Sequence, residues 1–152
     1  MDITGLTGHR RYLIEFENLY GTLDGYSLLL RTSSDGGTTW DSGSTDYNWG
    51  RSTIGTYSDT RNTASSCELI NLLGNAASEG VTGTLELFDP NNAALRTTYA
   101  GTLWCSDYSG DDLRGSHIIG RRNAASAVNA IRLTMNAGDI AAGKLRIFAW
   151  NE

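Results

Sequence analysis

The chain has 152 residues, the length of one domain that can bury a core without metals or disulfides. Its net charge of −5 argues against nucleic-acid binding through phosphate neutralisation, which needs a basic patch. Eighteen glycines against a single proline favour turn-rich β structure and argue against a helical protein.

Two cysteines, Cys67 and Cys105, form neither a disulfide framework nor a zinc pattern. They predict small buried residues in a protein that folds in a reducing cytosol. No apolar run reaches the roughly 18 residues that a membrane helix needs, and the start lacks the order of a signal peptide. We therefore expect no membrane insertion.

The first part of the chain predicts an N-terminal arm and two strands. Residues 1–8 are polar and contain glycine, so we expect an arm there and a single domain over residues 9–152. In residues 10–18, Tyr12, Ile14 and Phe16 alternate with polar neighbours, which is the period of a half-buried strand. Residues 25–32 form a second such run, and a hairpin around residues 21–25 would pair the two.

Residues 33–43 contain a turn motif. Ser33, Asp35, Gly37 and Trp40 have the spacing S-x-D-x-G-x-x-W, which resembles the Asp-box of sialidase propellers. The carboxylate can accept backbone N–H groups, glycine takes positive φ, and the tryptophan folds over the hairpin. The motif predicts a structural turn without a catalytic role, and a single copy does not support a propeller.

The remaining chain predicts further strands. Residues 45–61 read as a short strand with an exposed excursion, and apolar or alternating runs cover residues 66–73, 81–89, 95–105 and 116–122. Residues 128–150 form two runs around a Gly-rich link, for which an antiparallel pair is the expected structure. In the second run Leu145, Ile147 and Ala149 face one way, and Arg146, Phe148 and Trp150 the other. About 8–9 strands without a convincing helix predict an all-β fold, an antiparallel β-sandwich of jelly-roll-like type.

Aromatic residues in turn-rich polar stretches are the candidate binding residues. Flat rings bordered by polar groups can stack on sugars, and they equally suit hairpin packing or a subunit interface. Both interpretations stay open for Trp40, Tyr47, Trp49, Tyr57, Trp104 and Tyr108.

Enzymatic chemistry is not indicated. His9 and His117 lie in no motif with a nucleophile, and no G-x-S-x-G occurs. Acidic residues such as Glu15 and Glu17 fit solvated faces better than a catalytic pair. The acidic loop SDYSGDD (residues 106–112) lacks the ligand spacing of a calcium loop. We therefore predict no catalytic residue, no metal and no cofactor.

Four segments carry a family resemblance: GYSLLLRTSSDGGTTWDSG, GNAASEGVTGTLELFDP, NAIRL and GDIAAGKLRIFAW. They resemble the uncharacterised β-rich virion proteins of tailed bacteriophages, in which an RTSSDGG hairpin and a Gly-rich C-terminal strand recur. The chain departs from that pattern at its end, where Ala149-Trp150-Asn151-Glu152 replaces the usual Tyr-Gly.

The resemblance implies a non-enzymatic structural protein of the virion surface, in a tail fibre, a baseplate or a receptor-contacting module. The expected partners are further copies of the chain, with a trimer as one such homo-oligomer, and other virion proteins. The protein would be made in the host cytoplasm and released by lysis. Head decoration or a turret, and a carbohydrate-binding module for host surface glycans, are the alternatives. A sialidase-like enzyme is disfavoured.

Overall fold

Eleven β-strands and one short 3₁₀ helix, Ala77–Glu79, make up the regular structure of the residues described. The computed structural model describes residues 1–53, 57–110 and 112–151. The prediction of an all-β fold is confirmed. The strands are β1 (Asp2–Thr4), β2 (Arg11–Gly21), β3 (Tyr26–Ser33), β4 (Tyr47–Thr53), β5 (Tyr57–Ala64), β6 (Cys67–Leu73), β7 (Val81–Phe88), β8 (Thr98–Ser106), β9 (Leu113–Arg122), β10 (Ala130–Met135) and β11 (Ile140–Trp150).

The strands form two antiparallel sheets. The smaller sheet has four strands in the order β1-β10-β3-β6, and the larger sheet has seven in the order β11-β2-β7-β8-β9-β4-β5. Ile14 and Leu85 from the larger sheet and Leu30 and Leu133 from the smaller one belong to a single buried cluster. The two sheets therefore enclose a common core in a sandwich-like arrangement.

Alternation of side chains explains why these segments form strands. Along β7, Val81, Leu85 and Leu87 are fully buried, whereas Thr84 and Glu86 between them are partly exposed. A period of two places every second side chain in the core. The other face of each strand remains open to solvent or to a partner.

The two predicted hairpins are wrong. β10 lies in the smaller sheet between β1 and β3, whereas β11 pairs with β2 in the larger sheet. Likewise β2 and β3 belong to different sheets. Alternation shows which side chains of a strand are buried, but not which sheet the strand joins. The short Gly-containing links at residues 22–25 and 136–139 carry the chain across the core.

The predicted count of 8–9 strands is too low because two short or polar strands were missed. Residues 1–8, expected to be an arm, contain β1, which pairs with β10. The Met1 ammonium donates to the Leu133 carbonyl at 2.8 Å, and Leu6 is buried in the core. The predicted excursion contains β5, which has few apolar residues and pairs only with β4 among the described strands.

An ion pair links the two sheets. Arg51 lies on β4 and its side chain is only 1% exposed, while Glu68 lies on β6 of the smaller sheet. Arg51 Nη1 donates to Glu68 Oε1 at 2.7 Å. Glu68 Oε1 also accepts a hydrogen bond from the Ser27 hydroxyl at 3.3 Å. A buried guanidinium depends on such a carboxylate because its desolvation is otherwise uncompensated.

We predict that Glu68→Ala lowers the free energy of unfolding by about 3 kcal/mol, because it leaves the Arg51 guanidinium buried without its carboxylate. Chemical denaturation followed by tryptophan fluorescence measures the change. Arg10→Ala is the control, since it breaks an exposed ion pair with Asp89 and should cost much less. Equal losses in the two variants would contradict the structural role of the Arg51–Glu68 pair.

Candidate functional site

The Asp-box-like turn is held by side chains that satisfy its backbone. The Ser33 hydroxyl donates to Asp35 Oδ1 at 2.7 Å and accepts from the Gly37 N–H at 3.0 Å. The Asp35 carboxylate accepts the Thr39 hydroxyl at 2.6 Å and the Thr39 backbone N–H at 2.9 Å. Gly36 and Gly37 have φ of 75° and 91°, a region that favours glycine. These donors hold the pKa of Asp35 down at about 2.

Trp40 covers this turn and connects it to the smaller sheet. A Cβ atom added at Gly37 would lie 3.1 Å from Trp40 Cζ2, so the ring leaves no room for a side chain there. On β10, the Arg132 guanidinium lies 4.4 Å from the centroid of the Trp40 ring. Arg132 also forms two hydrogen bonds of 2.7 Å with Asp2 on β1. Trp40 therefore packs within its own chain.

Two of the candidate aromatic residues lie in the core. Tyr47 is 0% exposed and Trp49 is 3% exposed. The Tyr47 hydroxyl accepts from the Thr32 N–H at 2.7 Å and donates to the Asp41 carbonyl at 3.1 Å. Burial raises the pKa of Tyr47 to about 12. These two rings are therefore closed to a glycan, and the packing interpretation describes them.

The other candidate rings do not form one platform. Trp104, on the outer face of β8, and Tyr108, in the turn after β8, are each about half exposed. Trp40 lies on the far side of the core, beside β10. The side chain of Tyr57 is outside the described part of the chain. The five candidates whose side chains are described are therefore distributed over the core, two turns and the outer face of the larger sheet.

A second set of aromatic residues, on the outer face of the larger sheet, was not among the candidates. Arg11 lies between Phe88 and Trp150, with its Cζ 4.9 Å and 5.7 Å from the two ring centroids. Phe148, also on this face, is 46% exposed. The signal was present in the sequence, because Phe88, Phe148 and Trp150 alternate with the core residues of β7 and β11. Of these three rings only that of Phe148 is largely exposed, since Arg11 lies over the other two.

A groove crosses the same outer face where β4, β8 and β9 lie side by side. Its volume is about 540 Å³. Phe88, Ala100 and Ile119 supply apolar walls, and Ile119 is 67% exposed. Gly50 leaves the floor open, since a Cβ atom there would meet Ile119 Cγ1 only at 3.9 Å. We call this feature the outer groove.

The polar side of the outer groove carries a cation. Arg121 lies opposite Asn48 on β4 and Thr98 on β8. Its Nε donates to the Asn123 side chain at 3.3 Å. Among the described residues no carboxylate forms an ion pair with Arg121. An apolar wall beside an uncompensated guanidinium suits a ligand with both an apolar face and a negative charge.

Three of the titratable side chains considered for catalysis or metal binding, on His117, Glu17 and Asp107, form contacts within the fold. His117 Nδ1 lies 2.9 Å from the Thr102 hydroxyl on the open outer face. Glu17 is bound by Arg146 at 2.6 Å. In the acidic loop, Asp107 accepts from the Ser109 hydroxyl and backbone N–H. Asp111 of that loop lies outside the described residues.

Within the described ranges no three His, Cys, Asp or Glu side chains are grouped to hold a metal ion. Nor does this part of the chain form a helix able to cross a membrane. Comparisons with protein-family models, curated proteins and solved structures found nothing that matches the chain.

We predict that the Asp35 carboxyl titrates at about pH 2 and not near its ordinary pKa of 3.8. Because its pKa is lowered in the folded state, the stability it contributes is present above about pH 4 and is lost as the pH falls towards 2. Carbon-detected NMR titration measures this pKa. Thr39→Val removes the hydroxyl donor but keeps the backbone donor, so the Asp35 pKa should rise. An unchanged pKa in that variant would contradict the assignment.

Proposed function

We propose that the chain is a non-enzymatic structural protein on the surface of a tailed bacteriophage particle, in a tail-fibre, baseplate or receptor-contacting position. The resemblance of four segments to virion proteins supports the location. The observation that carries the contact role is β11, an eleven-residue strand at the open edge of the larger sheet.

β11 exposes apolar side chains on both faces. Ile147 faces the core side and is 42% exposed, while Phe148 faces outward and is 46% exposed. The opposite edge strand, β5, carries Asp59, Arg61 and Asn62 instead. Soluble proteins normally protect long edge strands with charges or bulges, as β5 does. β11 has register shifts at its start and two cations on its outer face, but the core side of Lys144–Trp150 is apolar and carries no charge, so this edge is suited to assembly.

The proposed fold is a jelly roll. If the β8–β9 hairpin is an insertion between β7 and β4, and β11 an addition beside β2, the remaining eight strands form sheets β1-β10-β3-β6 and β2-β7-β4-β5. That is the strand order of a double-sheet jelly roll, a fold of viral capsid and lectin domains. The order supports a virion role and equally supports the alternatives below.

Head decoration or a turret remains the nearest alternative, since the same apolar edge would serve a contact with the capsid. In either position the chain would be made in the host cytoplasm, leave by lysis and assemble with copies of itself and with other virion proteins. The two positions differ only in where the protein lies on the particle.

Mass spectrometry of gradient-purified particles tests the proposal. We expect the chain to copurify with the particle, while a non-structural enzyme from the same genome, the control, does not. Immunogold labelling should place it on the tail, and labelling on the head would favour the decoration alternative. Absence of the chain from purified particles would overturn the virion role.

A carbohydrate-binding module is the second candidate function, and the outer groove favours it. Phe88 offers an aromatic face, Asn48 and Thr98 offer hydrogen bonds, and Arg121 offers an uncompensated positive charge. Sugar rings stack on aromatic faces, and guanidinium groups bind carboxylates. The ligand that fits is an acidic polysaccharide of the host surface.

We predict that Arg121→Ala weakens binding of an acidic polysaccharide such as polygalacturonate about tenfold or more, the scale of a lost charged hydrogen bond. Gly50→Val should abolish binding because it fills the floor of the groove. Calorimetry measures both, with a neutral glucan and Trp104→Ala, outside the groove, as controls. If both groove variants bind as the unchanged protein does, the groove is not a saccharide site.

A further inference from the structure

The C-terminal part of β11 is a regular strand with one open edge. Lys144–Trp150 pairs residue for residue with Glu17–Arg11 of β2, whereas register shifts interrupt the pairing between Ile140 and Lys144. The regular segment therefore spans seven residues, with Ile147 at its centre. Its other edge has no neighbouring strand in the described part of the larger sheet.

We propose that β11 pairs with β11 of a second copy of this chain, antiparallel and about a two-fold axis at Ile147. The larger sheets of both copies then form one continuous sheet. A two-fold contact of this kind uses the same surface on each partner. Centring it on Ile147 pairs the whole regular segment with itself.

The sequence of the segment is complementary to itself in this register. On the outer face, Arg146 lies opposite Phe148 of the second copy, and Lys144 lies opposite Trp150. Each pair joins a cation to an aromatic ring, and the symmetry makes each pair twice. No like charges are opposed on this face.

The core side of the segment is apolar throughout. Ile147 lies opposite Ile147 of the second copy, and Leu145 lies opposite Ala149. Pairing therefore covers the exposed side chain of Ile147, which the smaller sheet leaves 42% exposed. The gain comes from removing apolar surface from water.

Other registers are less favourable. A shift of one residue would oppose the core side of one copy to the outer face of the other. A shift of two in one direction would place Arg146 opposite its own counterpart, and like charges opposite each other destabilise a sheet. A shift of two in the other direction leaves Lys144 and Leu145 unpaired. The register centred on Ile147 avoids all three costs.

The composition of the two edge strands favours β11 over β5 as the strand through which a second copy pairs. β5 carries Asp59, Arg61 and Asn62, which protect it from pairing. β11 has both its cations on the outer face, where Glu17 already binds Lys144 and Arg146. Its core side has no charge to exclude a partner of the same sequence.

This inference deepens the proposed function and rests on it for the place of the dimer in a particle. The contact itself is tested on the purified full-length chain. A dimer found in solution for a chain absent from particles would therefore remove the virion role and leave the pairing intact. A chain that is found in particles but does not pair through Ile147 would support the virion role and overturn the pairing.

Cysteine cross-linking tests the two-fold axis. We expect Ile147→Cys to form a disulfide-linked dimer under mild oxidation, because residue 147 meets its own counterpart. Lys144→Cys is the matched control on the same strand, since its two copies would lie roughly 20 Å apart at about 3.3 Å per residue. The native Cys67 and Cys105 are buried and do not interfere. Equal cross-linking of both variants, or none at Ile147→Cys, would overturn the proposal.

Charge exchange at the same position gives an independent measurement. Ile147→Lys and Ile147→Glu should each be monomeric by light scattering, because each opposes like charges on the axis. A one-to-one mixture of the two variants should restore dimers, since the new lysine of one chain then lies opposite the new glutamate of the other. Failure of the mixture to dimerise, or a monomeric unchanged protein at every concentration, would overturn the two-fold pairing.

Discussion

The unequal width of the two sheets determines which apolar side chains are buried. Seven strands face four, and each strand adds about 5 Å of width, so the smaller sheet cannot cover the larger one. Strands near the middle of the larger sheet are sealed: Leu85 on β7 and Leu103 on β8 are fully buried. At the edge, Ile147 has the same alternating phase as Ile14 but stays 42% exposed because the narrower sheet covers it only in part.

Arginine side chains form ion pairs and ring contacts within this sandwich-like structure. Arg51 and Arg122 are almost fully buried, and each binds a carboxylate at 2.7 Å, on Glu68 and Asp41. Arg11 and Arg132 lie over aromatic rings while also holding acidic partners. A planar, always charged guanidinium can stack and donate at the same time, which an ammonium cannot do. Eleven of the twelve Lys and Arg residues are arginine, and these contacts give that bias a structural use.

The sequence predicts local features well and spatial neighbours poorly. The alternation of Tyr12, Ile14 and Phe16 locates β2, and the spacing of Ser33, Asp35 and Gly37 locates the turn, because each depends on residues close in the chain. The partners of β10 and β11 could not be predicted in this way, since their neighbours are distant in sequence. β1 and β5 were missed because short or polar edge strands carry little apolar pattern.

The same limit applies to the candidate site. Tyr47 and Trp49 lie in a polar stretch, yet their phase on β4 directs them into the core. The outer groove arises only when Gly50, Ala100 and Ile119 come together from three strands. No single run of residues in the sequence predicts such a surface. The aromatic face of β11, by contrast, was readable from alternation alone.

The sheets also join the beginning of the chain to its end. β1 pairs with β10, and β2 pairs with β11, so the first 21 residues find strand partners among the last 23. During synthesis β1, and the edge of β2 that pairs with β11, therefore lack their strand partners until β10 and β11 have left the ribosome. Long-range pairings of this kind make folding slow compared with that of a helical protein of similar size.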